Sequence, residues 1–410
     1  MNTGSVESNI ITYYLYKSLS DASMRGPILI TYMTNFCGMP LSEIFFCEAC
    51  CVIILVLLQI PTGTIADRWG RANSVKVGCF ILLIELICFA SATDRVLLWI
   101  GNALWAIGTS FVSGADSALI YDSLKENISD KNELERKYRE IEGKSSAYRL
   151  TLTAIMCLMS GYLAEINMRL PIIIDAIIAF ITLVVSFFFI ETKRHSESEK
   201  DKLSYKNHMI GSIKYVFKKV HLLWIVSFAV LIGVTSKLWF FTYNPYFEMV
   251  NLPIHYYGYV FFALNIVAGL SSYYANNLAN KIKEKWSIIF SISAITAPMI
   301  AMGLLVSKWS VSLVLFQNLV RGYLGPFMSN MLHKRIASTN RATVLSVKSA
   351  IYQAVEVVCM LSFGFVIHSI SLAWAITYLG IVSTLIGIIL VFVYMKLFKN
   401  NTEDTKYNGS

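Results

Sequence analysis

Long stretches without a single Asp, Glu, Lys or Arg dominate this chain. Four of them hold 20 to 39 consecutive residues. They lie between Arg95 and Asp116, Glu248 and Lys281, Lys285 and Lys308, and Glu356 and Lys396. One membrane-spanning helix needs about 20 apolar residues, so the last stretch is long enough for two. A soluble domain cannot bury this much apolar surface, which excludes a soluble enzyme, a nucleic-acid-binding protein and a secreted disulfide scaffold.

Hydropathy and turn signals predict an all-α membrane protein with twelve membrane-spanning helices. A polar interval divides them into two six-helix bundles. The predicted organisation is an N-terminal bundle over 1–190, a linker over 191–216, a C-terminal bundle over 217–399 and a tail over 400–410. The predicted spans lie near 9–36, 41–61, 73–93, 95–122, 146–165, 169–190, 217–247, 253–280, 286–306, 309–333, 342–368 and 371–397.

The distribution of basic residues predicts the orientation of the chain. With both termini placed in the cytoplasm, 27 of the 35 Lys and Arg residues fall in cytoplasmic segments and three on the opposite side. Such an asymmetry is what the positive-inside rule requires. The net charge of +9 is therefore explained by membrane topology, and no nucleic-acid partner is expected.

Residues 61–71 read Pro-Thr-Gly-Thr-Ile-Ala-Asp-Arg-Trp-Gly-Arg and carry a glycine-rich, charged turn. Glycines allow a tight turn, Asp67 can cap or face a helix N-terminus, and Arg68 and Arg71 can reach carboxylates or carbonyls. The segment resembles the G-x-x-x-D-R-x-G-R loop between the second and third helices of the major facilitator superfamily. The resemblance implies that this latch motif, residues 63–71, weakens when the transporter opens inward. Its gating residues would be Gly63, Asp67, Arg68, Gly70 and Arg71.

Three further segments resemble a drug-exporter-like branch of bacterial twelve-helix facilitators. They are Ser113–Leu124, which closes span four and adds Asp116 to the gating set, Arg321–Pro326 in span ten, and Arg341–Ser346 at the start of span eleven. Span four lacks the arginine, and span five the Gly-Pro pair, that accompany proton–drug antiport in that branch. Export by proton antiport is therefore implied only by analogy.

Charged residues inside the predicted spans are the candidates for function. A charge at the bilayer centre costs at least about 2.5–3.5 kcal/mol, so these side chains must face a cavity or one another. Lys17, Asp21 and Arg25 are spaced to share one helical face. Asp21 can form a structural pair with either cation, or Asp21 and Arg25 can line a cavity that binds substrate or protons. Asp116 is expected to pair with Arg149 or with the latch motif.

The remaining intramembrane charges leave several pairings open. Glu48 in span two can be structural or functional, Glu85 in span three can equally be a helix-contact residue, and Asp175 has no assigned role. Arg321 and Glu356 are expected to form a buried pair. Lys237 has no acidic residue in its own span, so it is expected to meet an anionic substrate or Asp21. The predicted substrate or proton pathway consists of Asp21, Arg25, Glu48, Lys237, Arg321 and Glu356.

These features predict a secondary transporter of the bacterial inner membrane that works by alternating access. No nucleotide-binding motif occurs, so an ion or substrate gradient must supply the energy. The leading hypothesis is a proton-coupled exporter of a drug, a peptide antibiotic or a siderophore. The alternatives are an importer of a nutrient or anionic metabolite and, more remotely, a receptor or scaffold that transports nothing.

No catalytic residue, metal or cofactor is expected. Cys47 and Cys50 have the spacing of a redox or metal pair, but no second pair or nearby histidine accompanies them. The eight cysteines are therefore predicted to be small buried residues. The expected partners are a small-molecule substrate, protons and the lipid bilayer, and the protein is expected to be a monomer.

Overall fold

The structure, a computed structural model, describes residues 3–192, 216–335 and 338–398. Every regular element within these ranges is helical, which confirms the predicted all-α class. Most of the predicted linker and the whole predicted tail lie outside the described residues. The main helices are α1 (Thr3–Ser20), α2 (Leu41–Trp69), α3 (Arg71–Ser91), α4 (Arg95–Val112), α5 (Ala115–Lys125), α6 (Lys131–Ile166), α7 (Leu170–Ser186), α8 (Val220–Phe241), α9 (Tyr243–Met249), α10 (His255–Lys281), α11 (Glu284–Leu304), α12 (Val314–Arg335), α13 (Ser338–Ser369) and α14 (Leu372–Phe398).

The helices are built for a lipid environment. In the described part of the chain, nine helical segments are long and apolar enough to cross a membrane, and α7 is a shorter apolar helix. Each predicted span coincides with one helix or with consecutive helical segments. Large apolar side chains such as Phe188 and Phe365 are exposed on the outside. Contiguous surface of this kind is unfavourable in water and is solvated by lipid in a membrane.

The first predicted span is interrupted. α1 ends at Ser20, residues 21–28 are not helical, and a three-residue helix, Leu29–Thr31, then leads into a π-helical turn, Tyr32–Phe36. Pro27 lacks a backbone N–H and disfavours the α conformation of the residue before it, which favours a break at this point. The prediction of one continuous helix over 9–36 is therefore wrong.

The fourth span is also divided, and the second is longer than predicted. α4 ends at Val112, and Gly114 adopts φ 82° before α5 begins. α2 continues through Pro61 to Trp69, eight residues past its predicted end at 61. Proline is tolerated in transmembrane helices because neighbouring groups satisfy the freed carbonyls. Most of the latch motif is therefore helical and does not form an extended loop.

The helices group into two compact units. The first contains α1 to α7 together with Leu252–Phe262, and the second contains α8, α9, the rest of α10 and α11 to α14. Glycines permit the closest helix contacts in each unit. A Cβ on Gly78 of α3 would lie 2.5 Å from Cγ2 of Val112, and one on Gly380 of α14 would lie 2.7 Å from Cγ1 of Ile300. Such close approach is how transmembrane helices gain packing energy in lipid.

Candidate functional site

A buried carboxylate from α7 holds the non-helical segment 21–28. Asp175 Oδ1 accepts a hydrogen bond from the backbone N–H of Met24 at 2.7 Å. Its Oδ2 accepts the backbone N–H of Arg25 at 2.9 Å and the hydroxyl of Ser23 at 3.0 Å. Asp175 is only 3% exposed. The carboxylate thus replaces the carbonyl partners that a continuous helix would supply.

Hydroxyl groups of α6 satisfy carbonyls of the same segment. Ser160 Oγ donates to the Met24 carbonyl at 2.5 Å, and Thr153 Oγ1 donates to the Asp21 carbonyl at 3.3 Å. Non-helical backbone is tolerated at membrane depth only where protein or water satisfies it. α6 and α7 therefore fix the shape of the break and, with it, the direction of the Arg25 side chain.

The Arg25 side chain leaves the break toward α3. Its guanidinium is hydrogen-bonded to the carboxylate of Glu85 and lies 5.2 Å from the centre of the Phe89 ring. Glu85 is only 1% exposed. The negative charge of Glu48 on α2 also acts on the guanidinium. Arg25 thus connects the break to α3. Its guanidinium is hydrogen-bonded to Glu85 and interacts electrostatically with Asp175, so two buried carboxylates share one cation.

Lys17, Asp21 and Arg25 do not share one helical face. The spacing of 3.6 residues per turn holds only within a continuous helix, and α1 ends before Asp21. The predicted alignment, and with it the pairing of Asp21 with either neighbour, is therefore wrong. Asp21 is half exposed. The observed partners of the three residues are, in order, Asp116, Arg149 and Glu85.

Lys17 and Asp116 form an ion pair between α1 and α5. Lys17 Nζ lies 2.5 Å from Asp116 Oδ2, and the Asp116 side chain is 4% exposed. The other oxygen of Asp116 accepts the backbone N–H of Ser117 at 2.6 Å. The prediction that Asp116 pairs with Arg149 or the latch motif is wrong, because α5 packs against α1 and presents this carboxylate to Lys17.

The latch motif joins α2 to α3 through Gly70 alone. Gly70 adopts φ 120°, a conformation that L side chains rarely reach. Arg71 then begins α3 and turns toward α5. Its guanidinium is hydrogen-bonded to the Asp122 carboxylate and donates to the Ala118 carbonyl at 2.9 Å. The second arginine of the motif therefore ties α3 to the helix that carries Asp116.

The other charged latch residues, Asp67 and Arg68, lie on the last turns of α2 and are exposed. Asp67 Oδ1 is 3.9 Å from Arg71. The N-terminus of α3 is capped by Glu191, whose two oxygens accept the backbone N–H groups of Arg71 and Ala72, each at 3.0 Å. A carboxylate is favourable there because it faces the positive end of the helix dipole. Of the two possibilities for Asp67, the one in which it caps this helix is therefore wrong.

In the second unit, α8 packs along α13 and brings Lys237 close to Glu356. Lys237 Nζ lies 3.9 Å from Glu356 Oε1 and 5.1 Å from the centre of the Phe241 ring. Glu356 is 5% exposed. The sequence did not predict this contact, because helix packing across the unit cannot be deduced from the charges within one span.

Arg321 of α12 is exposed, so the prediction of a buried Arg321 is wrong. Its Nη1 donates to Asn318 Oδ1 at 3.4 Å. Asn318 itself is 3% exposed. The Arg321 guanidinium is therefore exposed at the surface of the second unit and is hydrogen-bonded to the buried amide of Asn318.

The second unit includes two informative buried polar atoms that have no hydrogen-bond partner among the described residues. They are Nε1 of Trp239 on α8 and Oε1 of Gln317 on α12. The amide nitrogen of Gln317 donates to the Ser236 carbonyl at 2.8 Å. An unsatisfied buried donor or acceptor costs about 1–3 kcal/mol.

The sequence suggested a helix contact as one possibility for Glu85, left Asp175 without a role and gave no indication of Glu191. The signal for the first two is their occurrence as single carboxylates within apolar segments, which is costly in a membrane and usually functional. Glu191 gives no such signal, since it begins a charged interval. Within the described ranges, no three His, Cys, Asp or Glu side chains group as metal ligands, and the eight cysteines are free thiols.

Comparison with known proteins agrees with this architecture. The model of the Major Facilitator Superfamily matches residues 18–316. The fold is similar to that of the crystal structure of the nucleoside transporter NupG, with a TM-score of 0.68 and 14% identity, covering 97% of this chain and 100% of that one.

Three relatives share recognisable sequence. An uncharacterised transporter of Buchnera aphidicola subsp. Schizaphis graminum is 28% identical over 214 residues, 51% of this chain and 50% of that protein. The MFS-type transporter YxaM of Bacillus subtilis is 20% identical over 95% of this chain and 96% of its own length. The class B tetracycline resistance protein of Escherichia coli is 23% identical over 76% of this chain and 75% of its own length. The chain therefore belongs to the Major Facilitator Superfamily and is a multi-pass transporter of the inner membrane.

Proposed function

We propose that this transporter is a proton-coupled exporter of a small toxic or secreted compound, such as a drug, a peptide antibiotic or a siderophore, and that it works by alternating access. The observation that carries the proposal is the set of buried charges on its membrane-spanning helices. Each carboxylate in this set faces a cation or a ring of hydrogen-bond donors. They are Glu85, Asp116, Asp175 and Glu356.

Buried carboxylates of this kind suit proton coupling. Taking a charge out of water is expensive, so a carboxylate in lipid is retained where its charge is used. A membrane potential supplies about 2.3 kcal/mol per charge per 100 mV, and a tenfold gradient costs about 1.4 kcal/mol. One proton per cycle would therefore sustain more than a tenfold gradient of substrate.

The proposed pathway comprises residues of both units. Arg25 and Glu356 each have an ion-pair partner, Glu85 and Lys237 respectively, whereas Asp21 and Arg321 are exposed. A route that leads from solvent to a buried site needs both exposed charged groups and charged groups that are held by ion-pair partners. The full proposed set is Asp21, Arg25, Glu48, Lys237, Arg321 and Glu356.

The proposed gate is the latch motif together with Asp116. Gly70, Arg71 and Asp116 have defined roles in the first unit, as the turn, the tie to α5 and the partner of Lys17. Gly63, Asp67 and Arg68 complete the motif on the last turns of α2. The contacts that close a gate must break and re-form in each transport cycle. Ion pairs that are only partly buried can do so at a modest cost in free energy.

The relatives support export. Two of them carry names of drug resistance, the tetracycline resistance protein and multidrug resistance protein 2 of Bacillus subtilis. An importer of an anionic metabolite is the second candidate, because the exposed Arg321 and the half-buried Lys237 place positive charge in the second unit.

Vesicles of opposite orientation separate these functions. Inverted membrane vesicles with an imposed proton gradient should accumulate tetracycline, and collapse of the gradient by nigericin should abolish the accumulation. Vesicles without the protein are the control. Accumulation of an anionic metabolite such as succinate by right-side-out vesicles, with no flux of tetracycline, would favour import. Absence of gradient-dependent flux for a wide panel of solutes, with a stably bound protein partner, would favour a receptor or scaffold.

A further inference from the structure

Asp175 occupies a position that a neutral side chain could also fill. In the described ranges, it is the one carboxylate within a membrane-spanning helix that accepts backbone N–H groups from a different element. A neutral acceptor, such as an asparagine amide oxygen or a main-chain carbonyl, could accept part of these hydrogen bonds without placing a charge in the membrane. The choice of a titratable group at the break of the first span therefore calls for an explanation beyond support of the backbone.

The surroundings of Asp175 leave its charge incompletely compensated. Within the described residues it has no ion-pair partner, because the nearby guanidinium of Arg25 is bonded to Glu85. The titratable groups that face it are Arg25 from the break, Glu85 from α3 and the thiol of Cys157 from α6. Two buried carboxylates thus share one cation. When all are ionised, the cluster carries one excess negative charge in a medium that solvates it poorly.

Protonation would change the hydrogen bonds of the break in a defined way. Oδ2 accepts from both the Arg25 N–H and the Ser23 hydroxyl. A carboxylic acid has one donor and fewer acceptor sites than a carboxylate. A proton on Oδ2 can be donated to Ser23, whose hydroxyl can turn and accept it. The backbone N–H of Arg25 then loses a strong acceptor.

We propose that Asp175 is a proton-binding clamp, which holds the break of the first span while ionised and loosens it when protonated. Because the loosened residue is Arg25, the conformational effect of protonation is transmitted to Glu85 on α3, to which the Arg25 guanidinium is bonded. This inference deepens the proposed proton coupling and rests on it for its purpose in transport. Proton binding and loosening can both be measured without transport.

Infrared difference spectroscopy on the purified protein tests the binding step, with the proton itself as the ligand. Between about pH 9 and about pH 5 a free aspartate stays ionised, so a carboxylic acid C=O band that appears over this range reports a perturbed group. We expect this band in the wild-type protein and its loss in Asp175→Asn. The matched control is Asp94→Asn, because Asp94 also accepts two backbone N–H groups, those of Val96 and Leu97, but is exposed.

A second variant covers the possibility that Asp175→Asn does not fold. Ser23→Ala removes the hydroxyl that bonds Oδ2 and leaves the carboxyl in place. If Asp175 carries the proton, this substitution shifts the frequency of the acid band, since its hydrogen-bond partner is lost. Absence of the band from the wild-type protein, or a band that neither variant alters, would overturn the proposal.

Hydrogen–deuterium exchange tests the loosening step. Measured against an unstructured peptide at each pH, exchange in residues 21–28 should become about fivefold faster at the acidic pH, as loss of one hydrogen bond worth about 1 kcal/mol predicts. Asp175→Asn should exchange at this faster rate at both pH values. Equal protection at both values in the wild-type protein would contradict the clamp. If Asp175 binds a proton and the break loosens, but the protein shows no proton-driven flux, the proposed function is refuted and the clamp is not.

Discussion

Lys17 and Asp116 form an ion pair, with Nζ and Oδ2 2.5 Å apart, that ties the last turn of α1 to the first turn of α5. α1 belongs to the interrupted first span and α5 to the divided fourth span. The pair therefore joins the two places in the first unit at which a membrane-spanning helix is broken. Its carboxylate is almost fully buried, whereas its ammonium keeps partial contact with the surface.

Removal of one partner of this pair should destabilise the protein more than removal of both. Lys17→Met leaves the Asp116 charge buried without its cation, and Lys17→Met with Asp116→Asn removes that charge as well. We expect a coupling energy of about 0.5–3 kcal/mol between the two positions. Thermal unfolding in detergent, compared across both single variants and the double variant, measures it. Additive effects of the two substitutions would show that the pair contributes no coupling.

Two glycines of the latch motif should respond in opposite ways to alanine. Gly70 has φ 120°, so Gly70→Ala should cost about 1–3 kcal/mol of stability. Gly63 is helical and a Cβ there would meet nothing within 4 Å, so Gly63→Ala should be neutral or stabilising by up to about 1 kcal/mol. Unfolding temperatures of the two variants provide the comparison. Equal losses at both positions would mean that the turn at Gly70 is not the strained element.

The sequence was sufficient to predict the class of fold and the existence of the spans, because uncharged apolar runs of the required length have few alternatives in water or lipid. It did not predict the break at 21–28. A helical pattern of charges at Lys17, Asp21 and Arg25 looked continuous, and the partner that stabilises the break, Asp175, lies 150 residues away from Arg25. Tertiary hydrogen bonds of that separation leave no local trace.

In the candidate site, too, the local sequence predicted the motif but not the distant residues that contact it. The latch motif was recognisable from its own residues, and Gly70 and Arg71 do what a turn and a cation can do. The role assigned to Asp67 belongs instead to Glu191, which reaches the start of α3 from the end of the sixth span. A motif identifies the chemistry that a segment offers, whereas the choice among its possible partners depends on packing between distant helices.

Arg71 should matter more to the gate than Arg68. Arg71→Gln removes the charged contact with Asp122, a partly exposed pair worth about 1 kcal/mol, which is about fivefold in a conformational equilibrium. Arg68→Gln is the matched control, because Arg68 is an exposed arginine of the same motif. The initial rate of gradient-driven flux in inverted vesicles, corrected for the amount of protein inserted, is the readout. A rate for Arg71→Gln equal to that of the wild-type protein would remove Arg71 from the gate, and equal losses in the two variants would show that the contact with Asp122 gives Arg71 no greater effect than Arg68.

The exposed latch carboxylate offers a second test of the same gate. Asp67→Asn should reduce flux strongly and leave membrane insertion intact, if the family role of this position applies here. The side chain of Asp67 is 71% exposed, so its removal should hardly affect folding, and a loss of flux would not reflect misfolding. Flux equal to that of the wild-type protein at equal insertion would exclude Asp67 from the gating set.

Lys237 has two possible roles, and substitution of Glu356 distinguishes between them. If Lys237 binds substrate, Lys237→Ala should weaken binding at normal accumulation of the protein, and adding Glu356→Gln should not restore it. If Lys237 only neutralises Glu356, the single variant should leave a buried charge without its cation and lose stability, and the double variant should recover. Lys237→Arg keeps the charge and serves as the control. Measurement of tetracycline binding and thermal unfolding on the same samples distinguishes the roles, and we expect the loss to appear in binding.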